Sequence, residues 1–214
     1  MTGFEPHDER MTDNMTPTIP DTEQLGADDP RLPFSRAVAL AGTVIAAVKP
    51  DQFDRPTPCP EYDVRHLTGH LVGVLHRVAT VGRGQDASTV PVVVERSADD
   101  RWLEQWTEAA LDVRAVWDDP SILGRQLVLP FATLPGAAVM GIYTSEVTVH
   151  TWDLATATGQ QPAWDDAVVA FGLAAMRQAL PAERTPELPF AAVVAVPDDA
   201  PTIDQLVAWN GRRP

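Results

Sequence analysis

Leu67, His70, Leu71, Val74 and Val78 fall on one face of a helix at about 100° per residue, so the stretch after TPCPEYD carries an apolar stripe with an imidazole set into it. Such a helix must turn its stripe toward neighbouring helices, and the ring must find a partner there. A buried polar ring left unpaired costs on the order of 1–3 kcal/mol, so either a hydrogen bond within the core or a metal ion satisfies His70. The residues alone leave both open. His66, one turn earlier, sits nearer the rim, and His76 points away.

A second constraint lies in GIYTSEVTVHTWDLATATG, where Glu146 and His150 are four residues apart. That spacing puts both side chains on one helical face, as in helices that supply two ligands to one ion. The rival reading is a solvated polar face. His70 shifts the balance toward a site, because an inward imidazole on one helix can meet an inward Glu/His pair on another.

Three blocks in fixed order then carry a family resemblance: TPCPEYDVRHLTGHLVG at 57–73, SEVTVHTWDLATATGQ at 145–160 and VPDDAPTIDQLVAWNGRRP at 196–214. With the leading helix from Phe34, the chain resembles the actinobacterial DinB-like metal-binding proteins that share the N-terminal domain of mycothiol-dependent maleylpyruvate isomerase. The resemblance covers about residues 34–214. It implies a helical bundle in which a divalent ion, usually zinc, is held by His70, Glu146 and His150. Two departures stand out. Tyr62 occupies a position that is usually Trp, and His66 one that is commonly acidic, which makes His66 a possible competing ligand.

The chain of 214 residues reads as a tail over 1–30, too polar and proline-rich to offset its ordering entropy, followed by one helical domain over 31–214. The expected class is mainly α: a DinB-like four-helix bundle of the up-and-down type, with short additional strands and a small C-terminal extension. Helices are expected from Phe34 to Val48, from an Asp63 cap to about Arg77, from Asp99 to Trp117, from Ala137 to Ala157 with Gly159 as the stop, from Asp165 or Asp166 to Leu180, and from Thr202 to Trp209. Residues 125–129 and 191–196 read as short strands, and PVVVE at 91–95 as a strand or an extended connection. Trp102 and Trp106 read as core, with pocket lining as the alternative.

Charge excludes some partners. Thirty acidic residues against sixteen basic give a net charge of −14, which argues against nucleic acid. No apolar run reaches the roughly 18–20 residues needed to span a bilayer, and the N-terminus lacks the basic head and apolar core of a signal peptide. A cytoplasmic protein with no membrane partner is expected. Cys59, the single cysteine, cannot form an internal disulfide and reads as a packing residue ahead of a helix, with a reactive thiol as the alternative. The GRG at 82–84 lacks the strand, helix and further glycines of a phosphate cradle.

Two imidazoles and one carboxylate suit zinc, and three protein ligands leave a coordination position for an exchangeable group; nickel or iron would also accept the set. Such an ion acidifies a bound water or holds a bound thiol as thiolate, so hydrolysis and thiol chemistry are both accessible. The resemblance implies the thiol: mycothiol as cosubstrate, attacking an electrophilic small molecule in a transferase or isomerase reaction. Asp153 is the candidate to orient His150, with a plain solvent-facing or helix-end role as the alternative, and Tyr62 and Trp152 read as packing residues, with shaping of the thiol pocket as the alternative. The alternatives are a non-catalytic metal-binding or regulatory module and a metal-dependent hydrolase.

Overall fold

The structure is a computed structural model and describes residues 25–95, 101–130, 132–185 and 190–214. Most of the 1–30 tail lies outside the described residues, as does Asp99. Six helices are present among the described residues: α1 Arg31–Ala46, α2 Val64–Gly82, α3 Trp102–Trp117, α4 Gly136–Thr158, α5 Asp166–Ala179 and α6 Thr202–Trp209. One two-stranded antiparallel sheet, β1 Gln126–Leu129 and β2 Ala132–Pro135, forms a hairpin between α3 and α4. The fold is thus mainly α, a helical bundle with small additions.

The first four helices form a ring in which α1 and α2 each touch both α3 and α4. Their directions depart from the up-and-down expectation. Trp102 at the start of α3 lies against Gly69 and Trp117 at its end against Gly82, so α3 runs parallel to α2. The long connection between them is the reason: it carries the chain back to the end where α2 began. α4 runs antiparallel to α2, since Gln52 just before α2 donates to the Thr158 carbonyl at 3.0 Å, whereas Gly136 N–H donates to the Arg125 carbonyl and Arg125 lies beside Gly84 beyond the end of α2.

α5 packs on α4 and α1, and α6 packs on α5, which surrounds α4 with helices. A helix enclosed in this way has no single polar face, and α4 shows none. Its buried threonine hydroxyls are satisfied internally, since Thr144, Thr148, Thr151 and Thr158 each donate to the carbonyl four residues earlier at 2.6–2.7 Å, whereas the buried Ser145 hydroxyl has no partner among the described residues. Leu67, Leu71, Leu75, Trp106, Met140 and Leu154 anchor the fully buried core. Trp102 and Trp106 are core residues, not pocket walls.

Local signals acted where expected. Asp63 caps α2 by accepting from the His66 N–H at 2.8 Å, Asp165 caps α5, and Gly159 ends α4 in the left-handed region. α2 continues five residues past Arg77, because Val78, Ala79 and Val81 still face the core. Residues 91–95 are an irregular connection that bends at Val92 and Val93, without strand pairing. Residues 191–196 are likewise not a strand, with a single backbone bond from Val194 to Ala208 at 3.0 Å. β2 was not read from the sequence, because ATLP is short and ends in proline. Among the described residues, no helix is long and apolar enough to cross a membrane.

Candidate functional site

His70 owes its orientation to two glycines. A Cβ on Gly69 would lie 2.4 Å from the Val94 carbonyl oxygen, and one on Gly73 would lie 3.0 Å from the carbonyl oxygens of Pro91 and Val92. Without side chains there, the segment at 91–94 lies directly on α2, fastened by the Val94 N–H donating to the Gly69 carbonyl at 3.1 Å. The Val92 carbonyl then stands 2.9 Å from His70 Nδ1. A carbonyl only accepts, so Nδ1 carries the hydrogen and Nε2 is the nitrogen turned into the bundle.

α4 completes the cluster. Oε1 of Glu146 lies 3.3 Å from His70 Nε2 and 3.5 Å from His150 Nε2, and the two rings meet edge to face at 4.7 Å between centroids. His150 Nδ1 is 3.0 Å from Oδ2 of Asp153, which fixes its tautomer in the same sense. Asp153 is wholly buried and is held in turn by Arg212, whose Nη2 donates to Oδ2 at 2.9 Å and Nε to Oδ1 at 3.3 Å. Gly211, at φ +82°, turns the chain after α6 so that Arg212 folds back onto Asp153.

The structure therefore brings His70, Glu146 and His150 together, with one ligating atom of each within 4.8 Å of the others. With each Nδ1 committed elsewhere, the two Nε2 atoms and a carboxylate oxygen of Glu146 face one another. A proton or a cation between them is what makes the arrangement favourable. Burial works against ionising Glu146, but the two imidazoles outweigh it and hold the carboxyl well below the usual range. Burial also lowers the His150 pKa, yet the Glu146 carboxylate, aided by Asp153, carries it up to about 9. The donor set of two Nε2 atoms and one carboxylate, each imidazole backed by an acceptor on its other nitrogen, fits a divalent ion.

The cluster opens into a cleft of ≈ 710 Å³ between the 58–62 loop, α2, α4 and the chain around 190–191 and 210–213. Tyr62 stacks on His70 at 5.0 Å and forms one wall. Cys59 lines the cleft but is only 6% exposed, and burial raises its thiol pKa, which suits packing more than reactivity. Cys59, His150 and Asp153 also have ligating atoms within 4.8 Å, but there Asp153 is committed to Arg212 and to His150 Nδ1. His66 turns away: its Nδ1 is 2.7 Å from Asp63 and its side chain 59% exposed, so it does not join the three. Trp152 packs against the α5–α6 side with Val149, Val169 and Leu206 rather than in the cleft.

The sequence did not reveal Arg212 or the Val92 carbonyl. Arg212 lies in the C-terminal block that carried the resemblance, and the Asn-Gly pair before it is a turn signal, but its partner is 59 residues away.

The mycothiol maleylpyruvate isomerase N-terminal domain family matches residues 34–155. An uncharacterized protein of Mycobacterium tuberculosis, present in both the CDC 1551 and the H37Rv strains, is 32% identical over 185 residues, covering 86% of this chain and 98% of that protein. No solved structure matches the chain.

Proposed function

The chain belongs to the mycothiol maleylpyruvate isomerase N-terminal domain family, and on that premise we propose that it is a metal-dependent enzyme that uses mycothiol, or a similar low-molecular-weight thiol, to attack a small electrophile in a transferase or isomerase reaction. One observation carries the reading. Both imidazoles have their Nδ1 committed outward, to Val92 and Asp153, and both Nε2 atoms aimed at one oxygen of Glu146 beside an accessible cleft. A structural histidine needs only one satisfied nitrogen in the core, whereas this pair presents two basic nitrogens and a carboxylate to one point.

His70 and His150 would hold the ion through Nε2 and Glu146 through its carboxylate. A divalent ion held in this set, zinc being the best chemical fit, would supply the Lewis acidity that lets a thiol lose its proton at neutral pH. Asp153 keeps the His150 lone pair directed inward, and Arg212 holds the Asp153 carboxylate in place. Tyr62 walls the cleft beside His70 and limits how a ligand can approach.

The test is incubation of purified, metal-analysed protein with mycothiol and a panel of electrophiles, with and without a chelator. Thiol-dependent product that disappears on chelation and returns with added zinc is the expected result. Turnover that persists without any thiol identifies a hydrolase, and metal binding without turnover identifies a non-catalytic module; either outcome overturns the proposal.

A further inference from the structure

Arg77 stands seven residues after His70 on α2, and Tyr143 seven residues before His150 on α4. Seven residues are two turns, so each returns to the face of its histidine about 10 Å along the helix axis. Because the two helices run antiparallel, both displacements point the same way and bring Arg77 and Tyr143 to one level, on the Glu146 side of the histidines. The positive charge of Arg77 bears on the hydroxyls of both Tyr143 and Tyr62. These are the only two tyrosines in the chain.

All three groups have unused hydrogen-bonding capacity. Nε of Arg77 is sealed from solvent with no partner among the described residues, in a chain where acidic residues outnumber basic ones by thirty to sixteen. Neither tyrosine hydroxyl makes a hydrogen bond among the described residues. Burial pushes the Tyr143 hydroxyl up to about 12, so it keeps its proton and is available as a donor at physiological pH. A buried guanidinium N–H without an acceptor is costly, and an anionic oxygen is the group that relieves it.

We propose that Arg77 and Tyr143, with Tyr62 at the edge, form an anion subsite beside the metal ligands that receives a carboxylate or phosphate group of the second substrate. The assignment deepens the metal and thiol reading above and rests on it for the identity of that substrate. Arg77 supplies the charge and a fixed pair of donors, and Tyr143 supplies a third donor. Neutral analogues of the same shape bind poorly, because they leave the guanidinium unpaired.

The test is equilibrium binding, which needs no turnover. Trifluoroacetate, followed by ¹⁹F NMR, probes for carboxylate, inorganic phosphate, followed by ³¹P NMR, probes for phosphate, and trifluoroacetamide is the neutral control. Each is titrated into zinc-loaded and chelated full-length protein. One of the anions is expected to bind in both forms, at least about tenfold more weakly to Arg77→Met and about three- to tenfold more weakly to Tyr143→Phe, with Arg77→Lys retaining part of the affinity. Zinc content should be unchanged in all three variants. Anion binding that is insensitive to Arg77→Met and Tyr143→Phe, or that vanishes on chelation because the anion was only a metal ligand, overturns the subsite, as does equal binding of trifluoroacetamide. Should Arg77→Met fail to fold, Tyr143→Phe and Arg77→Lys decide. Failure of the wild-type protein to bind zinc would sink the metal reading while leaving the anion titration of the chelated form to be scored by itself.

Discussion

Asp153 places its Oδ2 3.0 Å from Nδ1 of His150 and is itself inaccessible to solvent. The same oxygen accepts from Arg212 at 2.9 Å, so a C-terminal residue determines the orientation of an imidazole in the middle of α4. Asp153→Ala is expected to act twice. It frees the His150 ring to rotate, lowering zinc affinity by about 10–100-fold. It also leaves the largely buried Arg212 guanidinium without its carboxylate, with only the Asn210 carbonyl as a partner among the described residues, costing on the order of 3 kcal/mol of stability. Asp153→Asn keeps an acceptor for His150 and should fall between wild type and alanine in zinc affinity. Chelator competition and urea melts measure the two effects separately, and an alanine variant with wild-type zinc affinity would remove Asp153 from the proposed site.

The convergence of His70, Glu146 and His150 predicts an ordered mutational response. Glu146→Ala, His150→Ala and His70→Ala should each lose most bound metal, while His66→Ala should keep it, because His66 is paired with Asp63 at the exposed start of α2. Metal analysis of the purified variants decides this, and full occupancy in either the Glu146 or the His150 variant refutes the ligand set.

The cluster also predicts a pH dependence. Burial opposes a charge on His150, but Glu146 and Asp153 overcome it and raise the pKa to about 9, so the metal-free protein carries a proton there at neutral pH. Because the pKa is raised on folding, this proton stabilises the metal-free fold below about pH 6.5, and that contribution fades as pH rises through 9. Zinc needs the neutral ring and must displace the proton. Affinity is therefore expected to rise about tenfold per pH unit from neutrality to about 9 and then level off. Calorimetry at pH 7 in buffers of different ionisation enthalpy should show about one proton released per zinc bound. Zero release contradicts the charge state assigned to His150.

What could be read from the sequence was what local chemistry encodes. The stripe around His70, the Glu146 and His150 spacing, the Asp63 cap and the Gly159 stop depend on residues within a turn or two, and each appears where the pattern placed it. Helix direction was not legible in this way. Periodicity says which face of α3 is buried but nothing about which way it runs, and the long 83–101 connection permits the parallel course that the structure adopts. The Arg212–Asp153 contact and the Val92 carbonyl on His70 were hidden for the same reason, since each joins segments that meet only after the bundle has closed. Trp152 packs as its apolar ring suggests, but its position next to Thr151 and Asp153 on α4 does not reveal which of several enclosing helices it meets.

Gly69 gives the sharpest test of how the scaffold serves the site. In the helix interior, alanine would ordinarily gain about 1 kcal/mol over glycine. Here its Cβ would stand 2.4 Å from the Val94 carbonyl oxygen, a backbone atom that cannot swing aside as a flexible side chain would. Gly69→Ala must therefore push the 91–94 segment off α2, weakening the Val94–Gly69 bond and withdrawing the Val92 carbonyl from His70 Nδ1. The expected outcome is a loss of about 1–3 kcal/mol in stability together with weaker zinc binding, although no ligand has been touched. Gly26→Ala, at a position where a Cβ meets nothing within 4 Å, serves as the control and should leave both quantities unchanged. If Gly69→Ala is stabilised as a simple helix-propensity change would be, the segment is not pinned to α2 and the orientation of His70 must have another source.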